Sequence, residues 1–363
     1  MPETDDGFVE FRNVQKSYDG ETLVVKNLNL SIARGEFLTM LGPSGSGKTT
    51  CLMMLAGFES ATFGDIVLNG SAINSVAPHK RGIGMVFQNY ALFPHMTVAE
   101  NLAFPLQVRK MDKATTAEKV KRALDMVELG EMGGRRPAQL SGGQQQRVAV
   151  ARALVFEPDL VLMDEPLGAL DKTLREQMQY EIKHIHESLG VTVVYVTHDQ
   201  TEALTMSNRI AVFDDGIVQQ LAPPEDLYER PMNAFCAAFI GENNRFHGTV
   251  AEINGDECVV RLADGTAIRA LKVNVDKKGD RTTLSLRPER VEIAPEAGTY
   301  PNVVPARVKE LIYLGDHIRT RVSVCGNDDF IVKVPNASRH ARLTVGDTID
   351  VGWSLEDCRA LDG

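Results

Sequence analysis

Short apolar runs alternate with longer amphipathic segments over about the first 240 residues of the chain. Residues 37–41, 83–87, 160–163 and 191–196 form largely apolar runs whose length suits strands buried on both faces. Two longer segments repeat apolar side chains at spacings of three and four, which predicts helices that end at Gly130 and Gly190. Strands that alternate with helices are typical of a mostly parallel α/β sheet.

The pattern changes to short alternating segments after about residue 241. Such segments cover residues 258–262, 283–286, 303–308, 319–324, 330–334 and 348–351. Turn pairs such as Asn254-Gly255 and Asp264-Gly265 separate several of them, as in β-hairpins. We therefore predict an α/β domain over residues 1–240 and a small all-β domain, with one or two compact barrels, over residues 241–363.

The composition fits two globular domains and restricts the kinds of partner. The 363 residues carry 39 Lys and Arg against 49 Asp and Glu, and the net charge of -10 argues against a nucleic-acid partner. The first ten residues are acidic and lack an apolar core, so we expect no secretory signal peptide. No apolar stretch approaches about 18 residues, so we expect any membrane role to be peripheral. Five cysteines without a CxxC pair suit thiols in a reducing compartment.

A glycine-rich loop lies between a predicted strand, residues 37–41, and a helix-like run that begins at Thr50. It matches the pattern GxxxxGK[ST] with Gly42, Pro43, Ser44, Gly45, Ser46, Gly47, Lys48 and Thr49. In such a loop the backbone amides wrap a phosphate, the lysine reaches the β and γ phosphates, and the Thr49 hydroxyl ligates Mg²⁺. A chance glycine-rich turn would not have this strand and helix on either side.

Two carboxylates, Asp164 and Glu165, follow the apolar run at residues 160–163. A buried strand would deliver them to the carboxyl edge of the sheet, where α/β proteins bind ligands. Asp164 suits Mg²⁺, and Glu165 is then placed to polarise an attacking water. The alternative is a solvated acidic turn before Pro166.

A second glycine pair opens another helix-like run, and it follows a serine that suits a helix N-cap. The segment comprises Leu140, Ser141, Gly142, Gly143 and Gln144. Its free backbone amides could meet an anion. A capped helix without a ligand is the alternative interpretation of this segment.

The set of motifs resembles the ATPase subunits of ABC transporters over roughly residues 8–240. Residues 140–144 resemble the signature motif of that family, and Gln88 resembles the glutamine of its Q-loop. Asp171 ends a segment that resembles the D-loop, although Gly168 stands where serine is commoner. His198 resembles the switch histidine, and Tyr18 resembles the aromatic residue that stacks on adenine.

This resemblance implies a P-loop NTPase fold with a RecA-like parallel sheet and a helical signature subdomain at about residues 89–156. It implies ATP and Mg²⁺ as ligands, with Thr49, Gln88 and Asp164 at the metal. Catalysis would then depend on Lys48, Gln88, Glu165 and His198. It further implies a homodimer in which Ser141, Gly142, Gly143 and Gln144 of one subunit close over the ATP held by the other.

The resemblance also implies partners in a membrane. A chain with one ATPase unit and no predicted span would work with separate transmembrane permease subunits and, indirectly, with a solute-binding protein. Its place would be the cytoplasmic face of the inner membrane. The segment from Asn89 to His95 would help to line the groove for the permease; the alternative is that Tyr90, Leu92 and Phe93 only pack the subdomain.

Residues 241–363 resemble the C-terminal regulatory domain of importer-type ATPases, an oligonucleotide-binding-like barrel. The sequence at residues 241–246, GENNRF, is more similar to the polyamine-importer branch than to the sugar branch. We therefore expect an importer ATPase for spermidine or putrescine. Sugar, ferric iron, thiamine or phosphonate remain as other cargoes. A soluble ABC ATPase that acts on nucleic acid and a non-catalytic regulator are the competing classes.

Overall fold

The computed structural model describes residues 7–336 and 343–363. The chain forms two compact units that divide between Leu227 and Tyr228. The first β-strand of the second unit begins at Asn244, close to the point where the sequence pattern changes. Within the described residues, every helix is too short or too polar to cross a bilayer.

The first unit combines strands with helices in alternation. Its strands are β1 (Val9–Ser17), β2 (Leu23–Ile32), β3 (Phe37–Leu41), β4 (Phe63–Leu68), β5 (Ser71–Ala72), β6 (Gly84–Val86), β7 (Leu160–Asp164), β8 (Thr192–Thr197), β9 (Arg209–Asp214) and β10 (Ile217–Ala222). Its helices are α1 (Lys48–Ala56), α2 (Val98–Val108), α3 (Lys113–Met126), α4 (Gly142–Leu154), α5 (Lys172–Leu189) and α6 (Gln200–Met206), and α7 (Pro224–Glu229) crosses the division.

The central sheet has six strands in the order β10-β9-β3-β8-β7-β6. Strand β3 runs parallel to β8 and β9, and β7 runs parallel to β8 and β6, so the predicted mostly parallel sheet is confirmed. Every residue of β3, β7 and β8 is buried, which explains their uninterrupted apolar character. Because the strands are parallel, the loops that follow β3, β6, β7 and β8 meet at one edge.

A second, antiparallel sheet has the order β2-β1-β4-β5 and was not predicted from the sequence. Strand β1 alternates buried and exposed positions imperfectly, because two consecutive residues face solvent and the register with β2 shifts there. The buried side of the sheet, with Phe11 of β1 and Ile32 of β2, packs in one core with Leu52 and Leu55 of α1. This sheet therefore supports the helix that follows the glycine-rich loop.

Helices α2, α3 and α4 form a subdomain with its own core, which includes Val98, Leu102, Leu124 and Val148. The predicted end of the α3 segment at Gly130 was wrong. Helix α3 ends at Met126, because Glu128 takes a left-handed conformation (φ 57) and the amide of Leu129 donates to the Leu124 carbonyl. The predicted end at Gly190 is confirmed, since that glycine caps α5 with φ 63.

The second unit contains the end of α7 and a short helix, α8 (Ala234–Phe239), and continues with β-strands. These are β11 (Asn244–Asn254), β12 (Glu257–Leu262), β13 (Ala267–Lys272), β14 (Arg281–Leu286), β15 (Glu292–Ile293), β16 (Asn302–Tyr313), β17 (His317–Val324), β18 (Asn327–Pro335), β19 (Thr348–Trp353) and β20 (Cys358–Leu361). Strands β11-β12-β13-β20-β14 close a barrel, and β15-β19-β16-β17-β18 form an open sheet. Phe246, Phe330 and Trp353 stack in the shared core.

Candidate active site

The glycine-rich loop connects the buried end of β3 to the first turn of α1. Gly47 occupies the N-cap position of α1 with φ 97 and no side-chain cap, so the first amides of the helix stay available to an anion. A Cβ on Gly42 would lie 2.2 Å from the Phe213 carbonyl oxygen, and one on Gly47 would lie 2.8 Å from that of Val24. These two positions therefore require glycine. Gly45, at the exposed tip with Ser44, has φ 82, which also favours glycine.

The ammonium group of Lys48 lies over this loop. Its Nζ donates to the carbonyl oxygens of Gly42 at 2.8 Å and Pro43 at 2.7 Å, and to Oγ of Ser46 at 3.3 Å. Burial lowers the pKa of Lys48, and the nearby carboxylates of Glu165 and Asp164 oppose that shift. The loop thus holds one positive charge at the centre of its own backbone ring.

Two of the three side chains predicted to hold a metal, Thr49 and Asp164, are in contact. The Thr49 hydroxyl donates to Oδ1 of Asp164 at 3.2 Å. Asp164 is only 9% exposed, and burial raises its pKa, with the Thr49 hydrogen bond acting in the opposite direction. Two hard oxygen donors therefore lie together beside the glycine-rich loop.

Glu165 lies between Gln88 and His198, each on its own loop. Its Oε2 accepts a hydrogen bond from Nε2 of Gln88 at 3.1 Å, and its Oε1 lies 3.2 Å from Nδ1 of His198. The backbone of Glu165 is left-handed (φ 44), and its amide donates to the Val196 carbonyl at 2.9 Å. A non-glycine residue in that region is strained, and such strain is concentrated at functional sites.

The signature-like segment caps its own helix. Ser141 accepts from the amide of Gln144 at 3.3 Å, and the Gln144 side chain accepts from the amide of Ser141 at 3.0 Å. Gly142 and Gly143 face the segment after β7, where a Cβ on Gly143 would lie 2.8 Å from the methyl groups of Leu174. The structure thus shows the capped helix of the simpler interpretation, with the amides of Gly142 and Gly143 in its first turn.

Asp171 and Tyr18 lie apart from the Glu165 cluster in their contacts. Asp171 is the N-cap of α5 and accepts from the amide of Leu174 at 3.0 Å. Tyr18 is 61% exposed on a turn after β1, and Nζ of Lys16 lies 4.7 Å from the centre of its ring. An exposed ring with one face toward a cation leaves room for a planar ligand on its other side.

Two arginines and a glutamate near the site were missed by the sequence reasoning. Arg152 of α4 donates to the carbonyls of Tyr90 and Ala91, both at 2.8 Å, just beyond Gln88. Arg175 of α5 donates to Oδ2 of Asp199, next to His198, at 3.1 Å. Glu202 is 2% exposed and accepts from the hydroxyl of Thr197 at 2.7 Å. These residues belong to no short motif, and only the fold brings them to these loops.

Comparison with protein families agrees with this geometry. Residues 25–168 match the model described as "ABC transporter", and residues 284–361 match the model described as "TOBE domain". The first match includes the glycine-rich loop, the signature-like segment and Glu165; the second includes much of the β-rich unit.

Proteins with curated names resemble the chain over nearly its whole length. The chain is 44% identical over 98% of its length to the spermidine/putrescine import ATP-binding protein PotA of Rubrobacter xylanophilus, of which it covers 94%. It is 45% identical over 96% of its length to the protein of that name from Pseudomonas aeruginosa, of which it covers 97%. The corresponding protein of Thermotoga maritima is 42% identical, with 96% of this chain and 94% of that protein covered.

Two solved structures of an ATP-binding cassette resemble about three fifths of the chain. A dimeric post-hydrolysis state of the ATP-binding cassette MJ0796, bound to ADP and Pi, aligns with a TM-score of 0.54 and 36% identity. It covers 60% of this chain, which covers 98% of that protein. A second dimeric structure of MJ0796, described as a bacterial ABC transporter cassette, gives a TM-score of 0.54 at 37% identity with the same coverage.

Proposed function

Because the chain belongs to the family of ABC transporter ATP-binding proteins with a C-terminal TOBE domain, we propose that it energises an importer of polyamines such as spermidine and putrescine. One observation supports the hydrolytic part of this function above the others. Glu165, flanked by Gln88 and His198, lies directly after Asp164, which contacts the first turn of the phosphate-loop helix. That is the arrangement needed to bind a nucleoside triphosphate and attack it with water.

The donor atoms around Thr49 fit Mg²⁺. The Thr49 hydroxyl and the Asp164 carboxylate supply oxygen, and the amide of Gln88 turns its nitrogen to Glu165, which leaves its oxygen for a cation. Bound there, Mg²⁺ would neutralise charge on the β and γ phosphates. The exposed ring of Tyr18 would stack on the adenine base, and Thr50 would add a polar side chain in the first turn of α1.

The remaining steps depend on side chains of this chain. The loop amides and Lys48 would hold the phosphates, and Glu165 would accept a proton from the water that attacks the γ-phosphorus. His198 turns Nδ1 to Glu165, so Nε2 is the ring atom that remains for a phosphate oxygen. The ring can donate from Nε2 to a phosphate oxygen and from Nδ1 to Glu165 at the same time only when both ring nitrogens carry a proton.

We propose that two copies of the chain close over two nucleotides. The two dimeric cassettes similar to this chain support that assembly. In it, Ser141, Gly142, Gly143, Gln144 and Asp171 of one copy would face the triphosphate held by the other. The capping box already orders the first turn of α4, so its amides would need little rearrangement to meet a phosphate. Loss of the γ-phosphate would then release the interface.

A groove beside the helical subdomain suits a permease helix. It has a volume of about 530 Å³, and its lining includes Phe58, Phe87, Phe93 and Val108. Phe58 and Val108 are more than half exposed, and exposed apolar patches mark interaction sites. Tyr90 is 7% exposed and packs in the core of the central sheet, and Leu92 packs against the core of the helical subdomain, so the two alternatives for residues 89–95 are compatible.

The two predicted domains, residues 1–240 and residues 241–363, have separate tasks in this proposal. The first would bind ATP at the cytoplasmic face of the inner membrane, held there by its permease. The second, which includes the closed barrel, would regulate the first. A solute-binding protein on the other side of the membrane would deliver the cargo to the permease, and no nucleic acid would take part.

Reconstitution tests cargo and activity together. The chain would be placed in liposomes with its permease and binding protein, and ATP hydrolysis would be measured with spermidine, putrescine, maltose, ferric iron, thiamine or a phosphonate. We expect stimulation and uptake with a polyamine alone. Stimulation by another solute would contradict the proposal that the cargo is a polyamine. Hydrolysis that no solute and no permease affects would favour a soluble ATPase. The Glu165→Gln variant in the same liposomes gives the background without hydrolysis.

A further inference from the structure

Arg175 lies in the first turn of α5 and reaches back to the segment after β7. Its Nη2 donates to the carbonyl oxygen of Leu170 at 3.0 Å. Leu170 precedes Asp171, the N-cap of α5, and its side chain is buried. One end of the guanidinium therefore fixes the backbone of the D-loop-like segment relative to its helix.

The same guanidinium holds the loop that follows β8. Its Nη1 donates to Oδ2 of Asp199 at 3.1 Å, and the other carboxylate oxygen of Asp199 accepts from the amide of Thr201 at 2.7 Å. The amide of Asp199 donates to the hydroxyl of Thr197 at 3.0 Å. His198 is the residue between these two anchored neighbours.

A buried carboxylate completes this network. Glu202 accepts hydrogen bonds from the hydroxyls of Tyr195 and Thr197, both at 2.7 Å. Nε of Arg175 lies 3.9 Å from Oε1 of Glu202, and that nitrogen is buried without a hydrogen bond of its own. The network thus has one long contact, which could shorten if α5 or the loop of His198 moved by a fraction of an ångström.

We propose that Arg175 is a positioning residue that ties the D-loop-like segment to His198, so that movement of residues 169–171 changes where the imidazole stands beside Glu165. This inference rests on the proposed roles of Glu165 and His198. A partly buried ion pair contributes little net stability, but it fixes one geometry among several. Residues 169–171 would sense the second subunit in the proposed dimer, and Arg175 would carry that signal within the same subunit to the loop of His198.

The test uses Arg175→Gln and Asp199→Asn, singly and together, in the full-length chain. Asparagine remains a good N-cap for α6, so the second variant removes the charge while it keeps the helix start. We expect kcat for ATP to fall about 10-fold to 100-fold in each single variant, with the dissociation constant for ATP unchanged. The double variant should be no slower than the slower single variant, because both changes break the same link.

A second readout separates positioning from folding. In protein with ¹⁵N-labelled histidines, the ring signals of His198 should shift in Arg175→Gln and stay unchanged in Arg34→Gln. Arg34 is the matched control, because it also pairs with an aspartate of the first unit, Asp159, at 2.9 Å. Additive losses in the double variant, or an unmoved His198 signal, would overturn the role of Arg175.

Failure of the site itself has a different signature. His198→Ala and Glu165→Gln are measured first in the same assay. If both keep full turnover, the proposed catalytic site is wrong. If both lose turnover while Arg175→Gln keeps it, the catalytic site stands and the link through Arg175 is wrong.

Discussion

The hydroxyl of Thr49 donates a hydrogen bond to Oδ1 of Asp164 at 3.2 Å, although 115 positions separate the two residues. Thr49 lies in the first turn of α1, and Asp164 ends β7, so the contact joins the glycine-rich loop to the carboxylates. Each residue is presented by an element whose direction the central sheet fixes. The contact therefore gives a direct means to test whether the Asp164 carboxylate, which the proposed function needs, lowers the stability of the folded protein.

Asp164→Asn should stabilise the protein in the absence of nucleotide and Mg²⁺. Burial raises the pKa of Asp164, so the folded state binds its proton more tightly than the unfolded state does. Ionisation of this carboxyl then opposes folding, an effect absent below the unfolded pKa and complete above the folded one. The melting temperature of Asp164→Asn should exceed that of the wild type by a few degrees at about pH 7, since about 1 kcal/mol shifts Tm by about 2–4 °C at this size.

The pH dependence carries the test of that prediction. The difference in melting temperature should shrink as the pH falls through the folded pKa toward about 3, below the unfolded value, where the carboxyl is protonated in both states. The same variant should lose ATP hydrolysis at every pH. A lower melting temperature for Asp164→Asn than for the wild type at about pH 7 would show that ionised Asp164 does not destabilise the folded state.

Glu165→Gln should bind ATP with wild-type affinity and hydrolyse it at least about 100-fold more slowly. The amide keeps the size of the side chain and can still contact Gln88 and His198, but it cannot accept a proton from water. The variant should therefore accumulate as a closed dimer with ATP, as seen by size-exclusion chromatography. Single-turnover hydrolysis at the wild-type rate would contradict the role of Glu165 as the base.

Lys48→Ala should lose most of its affinity for ATP, by about 100-fold or more. The ammonium is the one cation that the loop holds among its own carbonyls at Gly42 and Pro43, so its removal leaves the phosphate charge unbalanced there. Titration with a fluorescent ATP analogue measures the change. Lys80→Ala, an exposed lysine of the same unit, is the control and should bind as the wild type does. Equal affinities in the two variants would count against the loop as a phosphate site.

The sequence predicted the central elements well because each carries a local signal. Residues 37–41 form β3 at the predicted positions, since full burial on both faces demands an uninterrupted apolar run. Gly190 marks the end of α5, because it takes φ 63 at little cost. The same rule was wrong at Gly130, since Glu128 takes the left-handed position four residues after Leu124. A residue other than glycine can end a helix, and composition alone does not reveal where.

Part of the site was beyond reach of the sequence because its contacts are long-range. The glycine-rich loop, Asp164 and Glu165 have motifs, but Arg175 and Asp199 are 24 positions apart and meet only because α5 packs beside β8. Arg152 reaches Tyr90 across 62 positions in the same way. Tyr90 and Ala91 both have positive φ, and the residue types do not predict this conformation because neither is glycine or asparagine. Such contacts depend on the completed packing rather than on any local pattern.

Asn101→Ala should weaken the groove proposed for the permease and leave the nucleotide site unchanged. Asn101 is fully buried in α2, and its side chain accepts from the amide of Phe93 at 2.8 Å and donates to the carbonyl of Thr97 at 2.9 Å. Removing it leaves the Phe93 amide unpaired and should cost about 1–3 kcal/mol of local stability. Gln107→Ala, which removes an exposed amide on the same helix, is the matched control.

We expect Asn101→Ala to bind ATP normally, to bind permease in detergent several-fold more weakly, and to lose polyamine-stimulated hydrolysis in liposomes. If Asn101→Ala and Gln107→Ala bind the permease equally well while Asn101→Ala melts earlier, the segment at residues 89–95 serves packing alone, and the permease must dock elsewhere.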